Sequence, residues 1–274
     1  MTQFKQISII GVGLIGGSLA KAIKKEHLAN KVVGFFRSRE KLNKALKYKI
    51  VDAGFLDIET TIKDSDLIIL ASPVNQILNE LGIIKDKNVL VIDVGSSKSL
   101  IVKKAAKLGL NFIGTHPMAG SEKKGMDFSS NELFKSAKVF ITPIKSTNKA
   151  AVSKVINFWK KLNTKIIILT PEQHDKIISF TSHLPHLVSF SLIKAIPMQY
   201  LPTGASGLKD TTRIALSDAE IWADIFLSNK EELLNSLEVF EKELNSIKKI
   251  IFQEKREKLI KSLTQSKTKR ERIN

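Results

Sequence analysis

Residues 113–120 read Ile113-Gly114-Thr115-His116-Pro117-Met118-Ala119-Gly120, and they place one titratable ring where proton transfer could be done. An imidazole has an ordinary pKa of about 6.5, so at neutral pH it can accept a proton from a hydroxyl. His116 follows an apolar run at 110–113 that predicts a short buried strand, and a proline and glycines bracket it. Two readings stand at this point: a turn residue bonded to nearby backbone, or a proton acceptor presented at the end of a sheet strand. Other chemistry-bearing side chains also fall at the ends of predicted elements. Asp93-Val94-Gly95-Ser96-Ser97-Lys98 closes an apolar strand and offers Ser96. Ser182-His183-Leu184-Pro185-His186 sets two imidazoles three residues apart, on one face of a helix. Without a helical carboxylate partner that pair makes a poor ligand set, and no metal is expected. Gly207-Leu208-Lys209-Asp210-Thr211-Thr212-Arg213-Ile214 adds a lysine and an arginine.

A second chemistry opens the chain. Ile9-Ile10-Gly11-Val12-Gly13-Leu14-Ile15-Gly16-Gly17 is G-x-G-x-x-G between a predicted strand and a predicted helix. Gly11 would make the tight turn, Gly13 would let a pyrophosphate approach the backbone, and Gly16 would let helix and strand pack closely. Free amides at the helix start then face the phosphate charge. Val12, Leu14 and Ile15 belong to the same expected dinucleotide site, as does Ser72 just beyond a later strand. The second strand ends in Phe35-Phe36-Arg37-Ser38-Arg39, with no carboxylate before Glu40. An acidic residue there would hold the ribose 2′-hydroxyl of NAD, whereas arginines and a hydroxyl suit a 2′-phosphate. The expected cofactor is NAD(P), with NADP favoured over NAD. A surface loop with incidental arginines is the competing reading.

These residues need elements to hold them. Strands are predicted at 7–10, 32–36, 67–71, 89–94, 111–114, 139–142 and 165–169, with amphipathic helices at 14–25, 40–48, 99–108 and 148–162. Alternating strands and helices argue for a mainly parallel sheet covered on both faces. After Thr170-Pro171 the strand signal fades. Helices are predicted at 177–196, kinked or broken at Pro185, at 217–227 with Ser217 or Asp218 as cap, and at 231–262. The fold class is therefore α/β followed by an all-helical part, divided into 1–170 and 171–274.

Composition bounds the remaining possibilities. The 274 residues are 43% apolar and 26% charged, a globular mixture long enough for two domains. With no cysteine, disulfides, thiolate catalysis and thiolate-held metals are excluded, which fits a reducing cytoplasm. No apolar run approaches the ~18 residues of a membrane span, and the N-terminus lacks a secretory layout. The net charge of +17 is spread over the chain, and the dense stretch EKREKLIKSLTQSKTKRERIN after residue 253 reads as a solvated helix end that frays. Neither nucleic acid nor membrane is expected as a partner. Small anionic substrates would be attracted.

Taken in order, GxGxxG, DVGSSK, GTHPMAGSEKKG, SHLPH and GLKDTTRIA resemble the prephenate/arogenate (cyclohexadienyl) dehydrogenase family, collinearly from the first strand to about residue 229. The resemblance implies a Rossmann-like, doubly wound domain joined to a helical domain that forms a homodimer. It also implies oxidative decarboxylation of a small dicarboxylate, with hydride transfer to NAD(P), on the route to tyrosine. By the same likeness His116 takes up the C4 hydroxyl proton, Ser96 helps hold that hydroxyl region, and Arg213 grips a substrate carboxylate. His186 lines the same pocket, with His183 beside it, and Glu122 matches an acidic residue near the entrance. The alternatives are a β-hydroxyacid or 6-phosphogluconate-type dehydrogenase, which would lean on Lys209, and a non-catalytic NADP-binding regulator.

Overall fold

The computed structural model describes residues 3–86, 88–120 and 123–273. Glu122 lies outside them. The chain forms two compact units, Met1–Asn229 and Lys230–Asn274.

In the first unit the described residues make one eight-stranded sheet. Its strands are β1 (Phe4–Ile10), β2 (Ala29–Phe35), β3 (Ala53–Phe55), β4 (Leu67–Leu70), β5 (Leu90–Asp93), β6 (Phe112–Pro117), β7 (Lys138–Thr142) and β8 (Lys165–Ile168). They lie in the order β3-β2-β1-β4-β5-β6-β7-β8. All neighbours run parallel except β6 and β7. β4 and β5 are buried at every residue, which is why they read as unbroken apolar runs: a strand covered on both faces has no polar face to alternate with. The helices α1 (Leu14–Lys25), α2 (Arg39–Lys47), α3 (Ile58–Ile62), α4 (Val74–Glu80), α5 (Ser99–Lys107) and α6 (Lys149–Lys161) join the strands. This is the expected Rossmann-like winding, whose ligand crevice opens at the carboxyl ends of the strands where the order reverses, between β1 and β4.

Two strands depart from expectation. β6 continues beyond residue 114 to Pro117, so His116 belongs to the strand itself and pairs with Phe140 in antiparallel register. β7 supplies the partner that the local sequence hides. Pro117, with no N–H to give, is the last strand residue, and Met118 N–H donates to Lys138 O at 2.8 Å. β3 was not expected, because three residues are too short to show a period.

The same unit carries α7 (Pro171–Ile178), α8 (Leu184–Ala195), α9 (Ser206–Thr212) and α10 (Ala219–Ser228). α7 begins six residues earlier than predicted, since Thr170 and Gln173 form a reciprocal capping box with Pro171 behind it. The helix is not broken at Pro185. A π-helical turn, Ser179–His183, bridges α7 and α8, and Pro185 sits in the first turn of α8, where its missing N–H costs little. Asp218, not Ser217, caps α10, its carboxylate accepting the Ile221 N–H at 2.8 Å.

The second unit consists of α11 (Lys230–Phe252) and α12 (Arg256–Arg270). The single helix expected over 231–262 is two, separated at Glu254, whose φ is +51°. The basic stretch stays helical to Arg270 instead of fraying. Among the described residues no helix is long and apolar enough to cross a membrane.

Candidate active site

The glycine turn behaves as its spacing demands. Gly11 has φ +95°, and a Cβ on it would lie 2.7 Å from the Ala71 carbonyl at the end of β4. A Cβ on Gly16 would stand 2.2 Å from the Gly11 carbonyl oxygen, so strand and helix meet there with no room for a side chain. At Gly13 the opposite holds: a Cβ would meet nothing within 4 Å. Gly13 is also the residue that opens α1, with no side-chain cap and no acidic residue in the first turn. Open backbone at an uncapped helix start fits a pyrophosphate.

Gly13, Leu14 and Ile15 line a cleft of about 670 Å³ at the carboxyl ends of the strands. Ser72, Ser96, His116, His186 and Arg213 line it as well, so residues from well-separated segments of the chain converge there. Gly11, Val12 and Gly16 build the turn from behind. His183 is buried and does not line the cleft. Arg37, Ser38 and Arg39 stand outside it, at the junction of β2 and α2. There Arg37 is exposed and bonded to Gln76, and the Ser38 hydroxyl accepts the Lys41 N–H to cap α2. Ser72 donates its hydroxyl proton to Glu80, at 2.6 Å. Burial holds the Glu80 carboxyl above its ordinary range, against the Ser72 bond and the nearby Arg37 charge.

Beneath the cleft a polar framework holds the ends of β5 and β6 together. Asp93 and Lys98, both fully buried, form an ion pair, and Lys98 Nζ also donates to Thr115 O at 3.0 Å. Asp93 accepts the backbone N–H of Gly95 and of Thr115, at 2.9 and 3.1 Å. Ser96 follows directly on this turn, and His116 directly on Thr115.

His116 is 9% exposed. Its Nδ1 lies 2.9 Å from Nε2 of His174, and Nδ1 of His174 lies 2.8 Å from Asp175 Oδ1. Burial holds the His116 pKa well below the ordinary value, with His174, Lys98 and His183 adding to the effect. Neither His174 nor Asp175 was singled out from the sequence. Nothing in Pro171-Glu172-Gln173-His174-Asp175 marks it, and only the fold brings it under β6.

The far wall comes from the helices. Trp222, also missed, stacks on His186 with ring centroids 3.5 Å apart and 20° between planes. His186 Nδ1 lies 2.9 Å from Ser182 O, and since a carbonyl only accepts, Nδ1 carries the proton. His183 bonds to Asn229 at 3.1 Å, and burial lowers its pKa to about 4. Lys123, Lys124 and the exposed Arg213 give this wall positive charge, and Lys124 pairs with Asp218. Among the described residues no group of histidine, aspartate and glutamate could hold a metal ion.

Two family descriptions cover nearly the whole chain: "Prephenate dehydrogenase, nucleotide-binding domain" over residues 19–175, and "Prephenate dehydrogenase, dimerization domain" over 170–265. The chain belongs to the prephenate dehydrogenase family. The prephenate dehydrogenase of Bacillus subtilis is 35% identical over 99% of this chain and 77% of its own length. The cyclohexadienyl dehydrogenase of Zymomonas mobilis is 30% identical over 98% and 96%. Among solved structures, prephenate dehydrogenase from A. aeolicus in complex with hydroxyphenyl propionate and NAD+ superposes with a TM-score of 0.92, at 35% identity and 98% coverage of both chains. This prephenate dehydrogenase homologue is thus a nicotinamide-dependent enzyme, and the hydroxyacid-dehydrogenase and non-catalytic alternatives fall away.

Proposed function

We propose that the protein oxidatively decarboxylates prephenate, using NADP+ in preference to NAD+, with His116 as the proton acceptor. A nicotinamide cofactor held at the Gly11–Gly16 turn would supply the acceptor for the hydride on C4 of the cyclohexadienol. His116 receives the proton of the C4 hydroxyl as the C–O bond becomes a carbonyl. The ring carboxylate then leaves as CO2, its bonding pair moves through the ring to that oxygen, and the phenolate recovers a proton. Ser96 orients the hydroxyl, Arg213 takes a substrate carboxylate in its planar fork, and His186 completes the wall, while His183 is buried away from the cleft and does not touch substrate. Glu122, outside the described residues, is assigned to the entrance by resemblance alone.

The observation that carries this reading is the convergence of Ser96, His116, His186 and Arg213 on the cleft that the glycine turn opens. The choice of the keto acid over arogenate rests on charge. Among the described residues lining the cleft the carboxylate is Asp218, and Lys124 already pairs with it, which leaves an ammonium poorly served. The NADP preference rests on Arg37, Ser38 and Arg39 after β2. Residues 171–274 are proposed as the helical domain through which two copies pair, and the cytoplasm as the compartment.

The test crosses prephenate and arogenate with NAD+ and NADP+ and follows reduced nicotinamide. The highest kcat/KM is expected for prephenate with NADP+. Turnover of arogenate alone overturns the substrate, and equal or better use of NAD+ overturns the cofactor preference.

A further inference from the structure

We propose that His174 is a positioning residue which, anchored by Asp175, locks His116 as the tautomer protonated on Nδ1, so that Nε2 presents its lone pair to the substrate hydroxyl. The inference rests on the reading of His116 as the proton acceptor and goes beyond it by fixing which nitrogen acts.

Asp175 is 2% exposed, and its two carboxylate oxygens accept the backbone N–H groups of Lys98 and Ser99, at 2.7 and 2.8 Å. These amides stand at the start of α5, where a helix favours negative charge. Burial works against ionising Asp175, but the bonds from His174 and Ser99 outweigh it and hold the carboxyl below its ordinary range. An ionised carboxylate only accepts, so His174 Nδ1 must carry the proton in the 2.8 Å bond to Oδ1. His174 is fully buried, and that burial disfavours its cation despite Asp175. A neutral imidazole has one N–H, so His174 Nε2 is left as an acceptor. Its partner at 2.9 Å is His116 Nδ1, which must then donate. With Asp175 ionised and His174 neutral, no second assignment keeps every bond.

Three elements are needed to build this chain: the start of α5, the strand β6 and the helix α7. Asn229 Nδ2 braces it by donating to the Asp175 backbone oxygen at 2.9 Å. His174 does not line the cleft, so it acts on the reaction only through His116. The edge-to-face contact of the two rings, with centroids 5.1 Å apart, also fixes the plane in which the His116 lone pair points.

Nitrogen NMR of the full-length wild-type protein labelled at histidine reads the tautomer directly, the His116 signals being assigned by their loss in His116→Asn. A proton on Nδ1 of His116 is the expected result, and a proton on Nε2 overturns the proposal. Kinetics separate positioning from packing. His174→Gln keeps an oxygen able to accept the His116 N–H, whereas His174→Phe fills similar space without an acceptor. The Phe variant should lose about 10²-fold or more in kcat with cofactor Kd unchanged, and the Gln variant should recover at least about tenfold of that. Equal loss in both, or no loss in His174→Phe while His116→Asn is inactive, overturns the positioning role alone. Near-normal turnover in His116→Asn overturns the proton-acceptor reading and this proposal with it.

Discussion

His116 and His174 share a hydrogen bond of 2.9 Å between buried rings, although 58 positions separate them in the chain. Two imidazoles in contact, with the Lys98 ammonium close by, cannot both be charged without cost, and burial opposes even one charge. His116 is consequently neutral across the physiological range, the form a proton acceptor requires.

A pH dependence follows with a definite sign. On the proposed mechanism, activity needs neutral His116 and is lost as pH falls through its pKa. Because burial, then His174 and Lys98, hold that pKa well below the ordinary 6.5, the acid limb of kcat/KM should lie below pH 6.5. A profile measured with saturating cofactor checks this. A half-maximum at or above the ordinary histidine value would contradict it.

The glycine turn makes a contrast between two alanines. In Gly16→Ala the new methyl would lie 2.2 Å from the Gly11 carbonyl oxygen, so α1 must shift, and a fall of about 1–3 kcal/mol in unfolding free energy is expected. In Gly13→Ala the methyl meets no protein atom within 4 Å and would stand in the proposed approach of the pyrophosphate. Cofactor Kd should rise at least about tenfold, while stability stays within about 1 kcal/mol of wild type. Thermal unfolding alongside cofactor titration decides both.

The Asp93–Lys98 pair should show how a buried ion pair fails. Asp93→Ala strands the fully buried Lys98 ammonium and frees the Gly95 and Thr115 amides, so a loss of about 3–5 kcal/mol is expected in denaturant unfolding. Asp93→Leu with Lys98→Met removes both charges and should be the less damaging change. Equal loss in the two variants would show that charge is not what the pair contributes.

What the sequence revealed was decided by constraints local to it. The glycines at 11, 13 and 16 were legible because a tight turn, an open approach and a close packing each forbid a side chain for its own reason. The buried strands β4 and β5 were legible as apolar runs for the same kind of reason. His116 drew notice by its type, but its setting was misread: the strand appeared to stop at residue 114, since only pairing with β7 carries it on to Pro117. His174, Asp175 and Trp222 gave no local signal, because their places depend on α7 packing against α5 and β7 and on α10 packing against α4. Pro185 suggested a break that the π turn before it absorbs, and Glu254 ends a helix that periodicity alone would have extended.

The most direct test of the account is the rate of nicotinamide reduction with prephenate and NADP+ by wild type and by His116→Asn, measured beside cofactor Kd. The account predicts turnover by the wild type, with a loss of about 10²–10⁴-fold in kcat for the variant and an unchanged Kd. Wild-type protein that binds NADP+ yet leaves prephenate untouched, or a variant that turns over near the wild-type rate, would contradict it.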